Sequence, residues 1–166
     1  GNLSNAASTG TMDSDGNISL IAGSTFTNNN TINALNNVDI VAPTFKNEIP
    51  GGVPAKVWSS ISWGGDIETS SDGSWGWPYD ATYYYEKYGS RYQYFIGIIP
   101  SIKPQIIAGK NMKISGFSLA RNTGGILAAN AGTMTITGAG SFINDDLALE
   151  TENLKATWNR YQDCGF

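Results

Sequence analysis

A short motif recurs along the first third of the chain at intervals of about 20 residues, and it constrains the fold more than any other feature. Residues 16–22 (GNISLIA) align with residues 36–42 (NNVDIVA), and Phe26-Thr27-Asn28 aligns with Phe45-Lys46-Asn47. Leu3-Ser4-Asn5 resembles an earlier copy of the same Phe-x-Asn corner. Such a period indicates a structure built by stacking one small unit upon the next.

The same pattern returns late in the chain. Residues 109–114 (GKNMKI) align with residues 131–136 (AGTMTI), and Phe142-Ile143-Asn144 repeats the corner. Copies therefore lie on both sides of a long interruption. The pattern is already under way at residue 1, so we expect a segment of a longer protein.

Within each copy the apolar residues alternate with polar ones, which indicates β-strands. Strands this short cannot bury a face alone, but stacking them every 19–22 residues joins their inward residues into one core. We therefore predict an all-β fold, a single-stranded parallel β-helix (right-handed solenoid), with rungs at 1–48 and 106–146. Asn28 and Asn47 at equivalent corners should stack as an amide ladder. A β-sandwich also has short strands, but it lacks matched inward and corner residues. The inward pairs are Ile18 and Leu20, Val38 and Ile40, Met112 and Ile114, Met134 and Ile136.

Residues 49–105 lack the repeat and form one long, aromatic-rich insertion. Between Trp58 and Phe95 there are 12 aromatic residues in 38 positions. Long insertions are typically functional, and Trp, Tyr and Arg are enriched at binding hot spots. We expect Trp58 and Trp63 to be structural and to pack against the flank of the β-helix. We interpret the apolar run 94–99 as a buried strand, also structural.

The stretch 72–80 (DGSWGWPYD) is rich in glycine and proline, which predicts a surface loop. The three tyrosines that follow place side chains on both faces of any strand, so at least one should point outward. We therefore predict a receptor-binding surface made of Trp75, Trp77, Tyr79, Asp80, Tyr83, Tyr84, Tyr85, Tyr88 and Arg91.

The end of the chain, residues 147–166, departs from the repeat. We predict a terminal strand, a cap or a linker to a following region. Leu154, Trp158 and Tyr161 stand at i, i+4 and i+7, a spacing that permits a short amphipathic helix.

Composition argues against several classes of function. The net charge is −4 and no basic cluster is present, which disfavours a nucleic-acid partner. Histidine is absent, so neither a histidine base nor a Ser/His or Cys/His nucleophile is available. Acid pairs such as Asp66 and Glu68, or Asp145 and Asp146, are common by chance. We predict no catalytic residues, no metal and no cofactor.

The patterns at 16–28 and 36–47 resemble the filamentous-haemagglutinin repeats of two-partner-secreted exoproteins, most of all the CdiA-type effectors of contact-dependent growth inhibition. The resemblance covers roughly residues 1–48 and 106–145. It implies a protein secreted to the bacterial cell surface, for toxin delivery, whose receptor-binding region lies partway along a filament. The implied partner is an outer-membrane β-barrel protein of the target bacterium, or lipopolysaccharide. The alternative is a carbohydrate- or lipopolysaccharide-binding adhesin segment. The resemblance carries over no receptor-contacting residues.

Overall fold

The structure, a computed structural model, describes residues 1–6, 10–73, 80–101, 103–145 and 147–163; of residues 72, 73, 80 and 161–163 it describes only the backbone. The described part contains strands and turns but no helix, as the all-β prediction requires. The strands are β1 (Leu3–Asn5), β2 (Met12–Ser14), β3 (Ile18–Ile21), β4 (Thr25–Asn28), β5 (Thr31–Ala34), β6 (Val38–Val41), β7 (Thr44–Glu48), β8 (Lys56–Trp58), β9 (Ser62–Trp63), β10 (Ile67–Gly73), β11 (Asp80–Phe95), β12 (Gln105–Ala108), β13 (Met112–Thr123), β14 (Ile126–Ala129), β15 (Met134–Asp145) and β16 (Thr151–Asp163).

The chain divides into two compact units. The first comprises Gly1–Ala55 and Gly97–Ala148, and the second comprises Lys56–Ile96 and Leu149–Phe166. The C-terminal segment therefore groups with most of the aromatic insertion.

Every strand pair in the first unit is parallel, and the strands form three stacks. One stack contains β3, β6 and the first halves of β13 and β15. The second contains β1, β4, β7 and the second halves of β13 and β15, and the third contains β2, β5, β12 and β14. Successive strands join different stacks, so each pass of the chain lays one new layer on the last. This parallel, nearly closed arrangement is compatible with a β-solenoid.

The long strands β13 and β15 each cross a corner between the first two stacks. Gly116 has φ +78° at this corner of β13. A side chain would be strained in that conformation, so glycine allows β13 to bend at the corner and continue as one strand. The pairing of β13 with β15 shifts register beside this point.

The core of the first unit lies between the stacks and includes five of the eight inward residues that the repeat predicted, with Leu20 and Ile136 packed against it. Val38 pairs with Ile18 and Met112, and Ile40 pairs in the same way with its counterparts in the layers on either side. Alternation buries every second side chain in β4, β5, β6 and β7. The largest fully buried apolar side chains are Phe26, Ile32, Val38, Ile40, Phe45, Ile49, Ile106, Met112 and Ile114.

Asparagines at one corner form the predicted ladder through five layers. Asn5 Nδ2 donates to Asn28 Oδ1 at 2.8 Å, and Asn28 Nδ2 donates to Asn47 Oδ1 at 2.7 Å. Asn47 Nδ2 donates to Asn122 Oδ1 at 2.6 Å, and Asn122 Nδ2 donates to Asn144 Oδ1 at 2.7 Å. These amides also donate to turn carbonyls, such as that of Asn30. Buried polar groups are thereby satisfied along the whole stack.

A second, exposed ladder stands at another corner. Asn37 Nδ2 donates to Asn17 Oδ1 at 2.9 Å, and Asn111 Nδ2 donates to Asn37 Oδ1 at 3.1 Å. Asn111 Oδ1 then accepts a hydrogen bond from the backbone N–H of Thr133. In this ladder each side-chain amide donates to the preceding layer, whereas in the buried ladder each donates to the following layer.

The second unit is antiparallel. Its central strand is β11, with β10 on one side and β16 on the other, while β8 and β9 pair with further parts of β11. β16 aligns with β11 over 13 consecutive residue pairs. The helix that the spacing of Leu154, Trp158 and Tyr161 permitted is therefore wrong, because the partly buried residues Glu152, Leu154 and Ala156 alternate as a strand requires.

Candidate functional site

β11 positions most of the predicted binding residues, and its alternation divides them between two faces of the sheet. Even-numbered residues from Tyr84 to Tyr94 point to one face and odd-numbered residues to the other. The described burial follows this division, because the tyrosines at 84, 88, 92 and 94 are exposed and the odd-numbered residues from 83 to 95 are half-buried.

The exposed face carries a row of tyrosines, which we call the tyrosine face. Tyr84, Tyr88 and Tyr92 are 41%, 50% and 59% exposed. Because they are four residues apart in one strand, successive members stand about 13 Å apart. Tyr94 extends the row, with its ring 6.3 Å from that of Tyr92.

The neighbouring strand β16 supplies polar side chains to the tyrosine face. Lys155 lies directly opposite Tyr88, and the residues on either side of it at the same spacing are uncharged. All of these positions are exposed. The tyrosine face is therefore aromatic, with a border of hydroxyl and amide groups: Thr151, Asn153, Thr157 and Asn159.

A small network orients the centre of the tyrosine face. Glu86 accepts a hydrogen bond from Tyr88 Oη at 2.6 Å and pairs with Lys155 Nζ at 2.5 Å. The ammonium of Lys155 lies 5.6 Å from the ring centroid of Tyr88. The hydrogen bonds from Lys155 and then Tyr88 lower the pKa of Glu86, and the hydrogen bond to Glu86 raises the pKa of Lys155. The hydroxyl of Tyr88 is thus bound to a carboxylate, while its ring lies beside an ammonium.

The opposite face of the sheet, which we call the packed face, holds the unit together. Tyr85 stacks on Trp158 with ring centroids 5.8 Å apart. Arg91 donates from Nε to Glu152 Oε2 at 2.6 Å, and its guanidinium lies 4.6 Å from the ring centroid of Trp58. Cross-strand pairs of this kind are what stabilise a sheet.

Glycine at position 89 permits a close approach on the packed face. Gly89 pairs with Trp63, and a Cβ placed on Gly89 would lie 2.6 Å from Cε3 of that indole. Trp63 can therefore cover the strand only because residue 89 has no side chain. Trp58 and Trp63 therefore have structural contacts with β11 within the second unit, although Trp63 remains 40% exposed.

The predicted binding residues do not all lie on one surface. Tyr84 and Tyr88 belong to the tyrosine face, and Tyr84 is the outward residue expected within the triplet. Tyr83, Tyr85 and Arg91 belong to the packed face. Asp80 begins β11, and its side chain is outside the described part. Trp75, Trp77 and Tyr79 lie outside the described residues altogether.

Sequence reasoning missed residues that the structure adds to this surface. It assigned Tyr94 to a buried strand, but β11 ends at Phe95, and Tyr94, Ile96 and Ile98 are 46%, 61% and 91% exposed. Gly97, at φ +126°, follows the end of the strand. Tyr92 and the β16 residues were also missed. Two-residue periodicity continued from Tyr84 identifies Tyr92 and Tyr94, whereas nothing local identifies the β16 residues.

The acidic residues of the described ranges offer little other chemistry. Asp66, one of the acids considered above, pairs with Lys87 at 3.5 Å. Among the described residues, no cluster of three or more His, Cys, Asp or Glu side chains is placed to hold a metal ion. No helix long and apolar enough to cross a membrane occurs in them either. Comparisons of the chain with protein-family models, curated proteins and solved structures gave no significant match.

Proposed function

We propose that this chain is the receptor-binding module of a secreted toxin-delivery filament, and that it recognises an outer-membrane protein on target Gram-negative bacteria. The first unit would be a segment of the shaft, a single-stranded right-handed parallel β-helix. Its three parallel stacks and its two asparagine ladders support this. The second unit would carry the recognition surface, and the module would not be an enzyme.

The observation that carries the proposal is the tyrosine face. Soluble proteins rarely leave several large aromatic side chains exposed in one row without a binding role. Tyrosine offers a large contact area at low entropic cost and a hydroxyl that can form hydrogen bonds. Tyr84, Tyr88 and Tyr92 span about 26 Å, enough to contact several extracellular loops of a β-barrel. The length of the row favours a protein partner over a small ligand, which would occupy one concave site and contact few of these residues.

The test is binding of the purified chain to target cells after Tyr84, Tyr88 and Tyr92 are replaced together by serine. The affinity should fall at least about tenfold, because interface tyrosines are frequent hot spots. Ile21→Ser with Leu35→Ser is the matched control, since both side chains are exposed in the first unit and the pair should bind normally. Unchanged binding by the tyrosine variant would refute a role for this face. Trp75→Ala with Trp77→Ala tests the loop separately.

A second candidate is a carbohydrate- or lipopolysaccharide-binding adhesin segment. It is favoured by the threonine and asparagine border of the tyrosine face, because sugars stack on aromatic rings and bond to hydroxyl and amide groups. Target strains lacking single outer-membrane proteins, and strains with a truncated lipopolysaccharide core, separate the two candidates. Binding lost only in the core mutants would refute the protein receptor.

A further inference from the structure

β16 is a long edge strand in the second unit. It runs for 13 residues and pairs with β11 along one edge. No described strand pairs with its other edge. An edge of this length presents a row of backbone N–H and C=O groups that another strand can pair with.

Three side chains on β16 could make further contacts: a guanidinium, a carboxylate oxygen and an exposed indole. Arg160 has no ion-pair partner among the described residues. Glu152 binds Arg91 through Oε2, and its Oε1 has no partner there. Trp158 is 37% exposed although it stacks on Tyr85. These three residues point to the packed face of the sheet.

The sequence of β16 is self-complementary when it is paired antiparallel with itself. With Ala156 opposite its own copy, Glu152 stands opposite Arg160 and Leu154 stands opposite Trp158. The two-fold symmetry makes each of these pairs occur twice. On the tyrosine face, the same register places Asn153 opposite Asn159 and Lys155 opposite Thr157.

We propose that the outer edge of β16 pairs with the same edge of a second copy of this chain, with the two-fold axis at Ala156. Two sheets then join into one continuous sheet, ordered β10–β11–β16 and, in the second copy, β16–β11–β10. Trp158 is covered by the second copy's Leu154, and each Glu152 gains a guanidinium on its unused oxygen. The tyrosine faces of both copies fall on the same side of the joined sheet, which doubles the surface presented to a receptor.

Neighbouring registers fit less well. If the axis moves to Lys155, this lysine stands opposite its own copy, and like charges directly opposite one another are destabilising. If the axis moves to Thr157, Leu154 faces Arg160, and Glu152 faces Gln162. Only the axis at Ala156 pairs both charges with their opposites.

Disulfide cross-linking tests the edge and the register together. Cys164, the only native cysteine, is first replaced by serine. In that background Ala156→Cys should form a covalent dimer under mild oxidation, because directly opposite Cα atoms are about 4.5–5.5 Å apart, within disulfide range. Lys155→Cys and Thr157→Cys are the controls, since in this register each would stand diagonally from its copy, about 7–8 Å away. Absence of a dimer at position 156, or equally fast cross-linking at 155 or 157, would overturn the proposal.

Sedimentation of the unmodified chain supplies a test without cysteines. The chain should show a concentration-dependent monomer–dimer equilibrium. Arg160→Glu turns two attractive pairs into repulsive ones and should raise the dissociation constant about tenfold. Arg121→Glu makes the same charge change on an exposed residue of the first unit and should leave the equilibrium unchanged. A chain that stays monomeric at the highest concentration reached, or an equal effect of both variants, would contradict the proposed interface.

Discussion

Replacement of Asn47 by alanine tests the claim that the buried ladder holds the first unit together. Asn47 is fully buried at the middle of the ladder. Its Oδ1 accepts from Asn28, and its Nδ2 donates to Asn122 and, at 3.3 Å, to the carbonyl of Ile126. The variant removes all three hydrogen bonds. It also leaves Asn122 Oδ1, in a side chain only 5% exposed, without its donor.

The expected loss follows from these contacts. Each hydrogen bond has a net worth of about 1 kcal/mol, and a buried acceptor left without a donor costs about 1–3 kcal/mol. Asn28 Nδ2 still donates to the carbonyl of Asn30 at 2.7 Å, which limits the damage on that side. Asn47→Ala should therefore lower the free energy of unfolding of the first unit by about 3–5 kcal/mol. Asn144→Ala removes one hydrogen bond at an exposed position and should cost about 1 kcal/mol or less.

The assay is urea unfolding followed by far-ultraviolet circular dichroism. All five tryptophans, at positions 58, 63, 75, 77 and 158, belong to the second unit. Their emission therefore reports on the second unit and serves as an internal control for the change in the first. The reasoning is refuted if Asn47→Ala costs less than about 1 kcal/mol, or if Asn144→Ala costs as much.

A near-isosteric variant separates hydrogen bonding from loss of volume. Asn47→Asp keeps the shape of the side chain and the acceptor for Asn28, but it places an oxygen against Asn122 Oδ1. Two acceptors then face each other in a buried site, so a destabilisation at neutral pH as large as that of Asn47→Ala is expected. A near-neutral effect of Asn47→Asp would mean that volume, and not the donated hydrogen bond, sets the cost.

Three further predictions follow from single contacts. Lys155→Met removes the main cause of the lowered pKa of Glu86, so carboxyl-resolved NMR titration should show this pKa rising toward 4.5. In the unmodified chain, the contribution of Glu86 to stability should be present above pH 4.5. It should be lost as the pH falls through the lowered pKa. Gly89→Ala should displace the indole of Trp63, because the new Cβ would meet it at 2.6 Å, and should change the tryptophan emission at a cost of about 1–3 kcal/mol. Phe45→Ala empties a fully buried site in the first unit and should cost about 3–5 kcal/mol in urea unfolding.

The first unit was predictable because its order is periodic. Identical residue types at matching positions, such as Asn28 and Asn47, must stand above one another if the strands stack, and the hydrogen bond between them confirms the register. The layer formed by β15 is less buried than the repeat predicts. Met134 occupies an inward position by register, but it is 36% exposed because no described strand lies beyond β15.

The second unit could not be predicted in the same way. Its main contact joins β11 to β16, which are far apart in the sequence and share no repeated motif. The spacing of Leu154 and Trp158 fits both a helix and a strand, and only pairing with β11 decides between them. The tyrosine face itself could have been identified from alternation, had the segment 83–95 been recognised as one long strand.

The buried ladder also explains how the first unit accommodates the insertion. Asn47 bonds to Asn122, 75 residues later, with the same geometry that joins Asn28 to Asn47, 19 residues apart. The layers before and after the insertion are therefore in direct contact, and the inserted residues leave the repeating path entirely. The equivalent corner between β4 and β5 has two residues, whereas 56 separate β7 from β12. Lengthening this connection from two to 56 residues is about five doublings, which cost about 3 kcal/mol in loop-closure entropy. This cost depends on the length of the insertion and not on its sequence. The first unit can therefore keep its own stability while the sequence of the second unit changes.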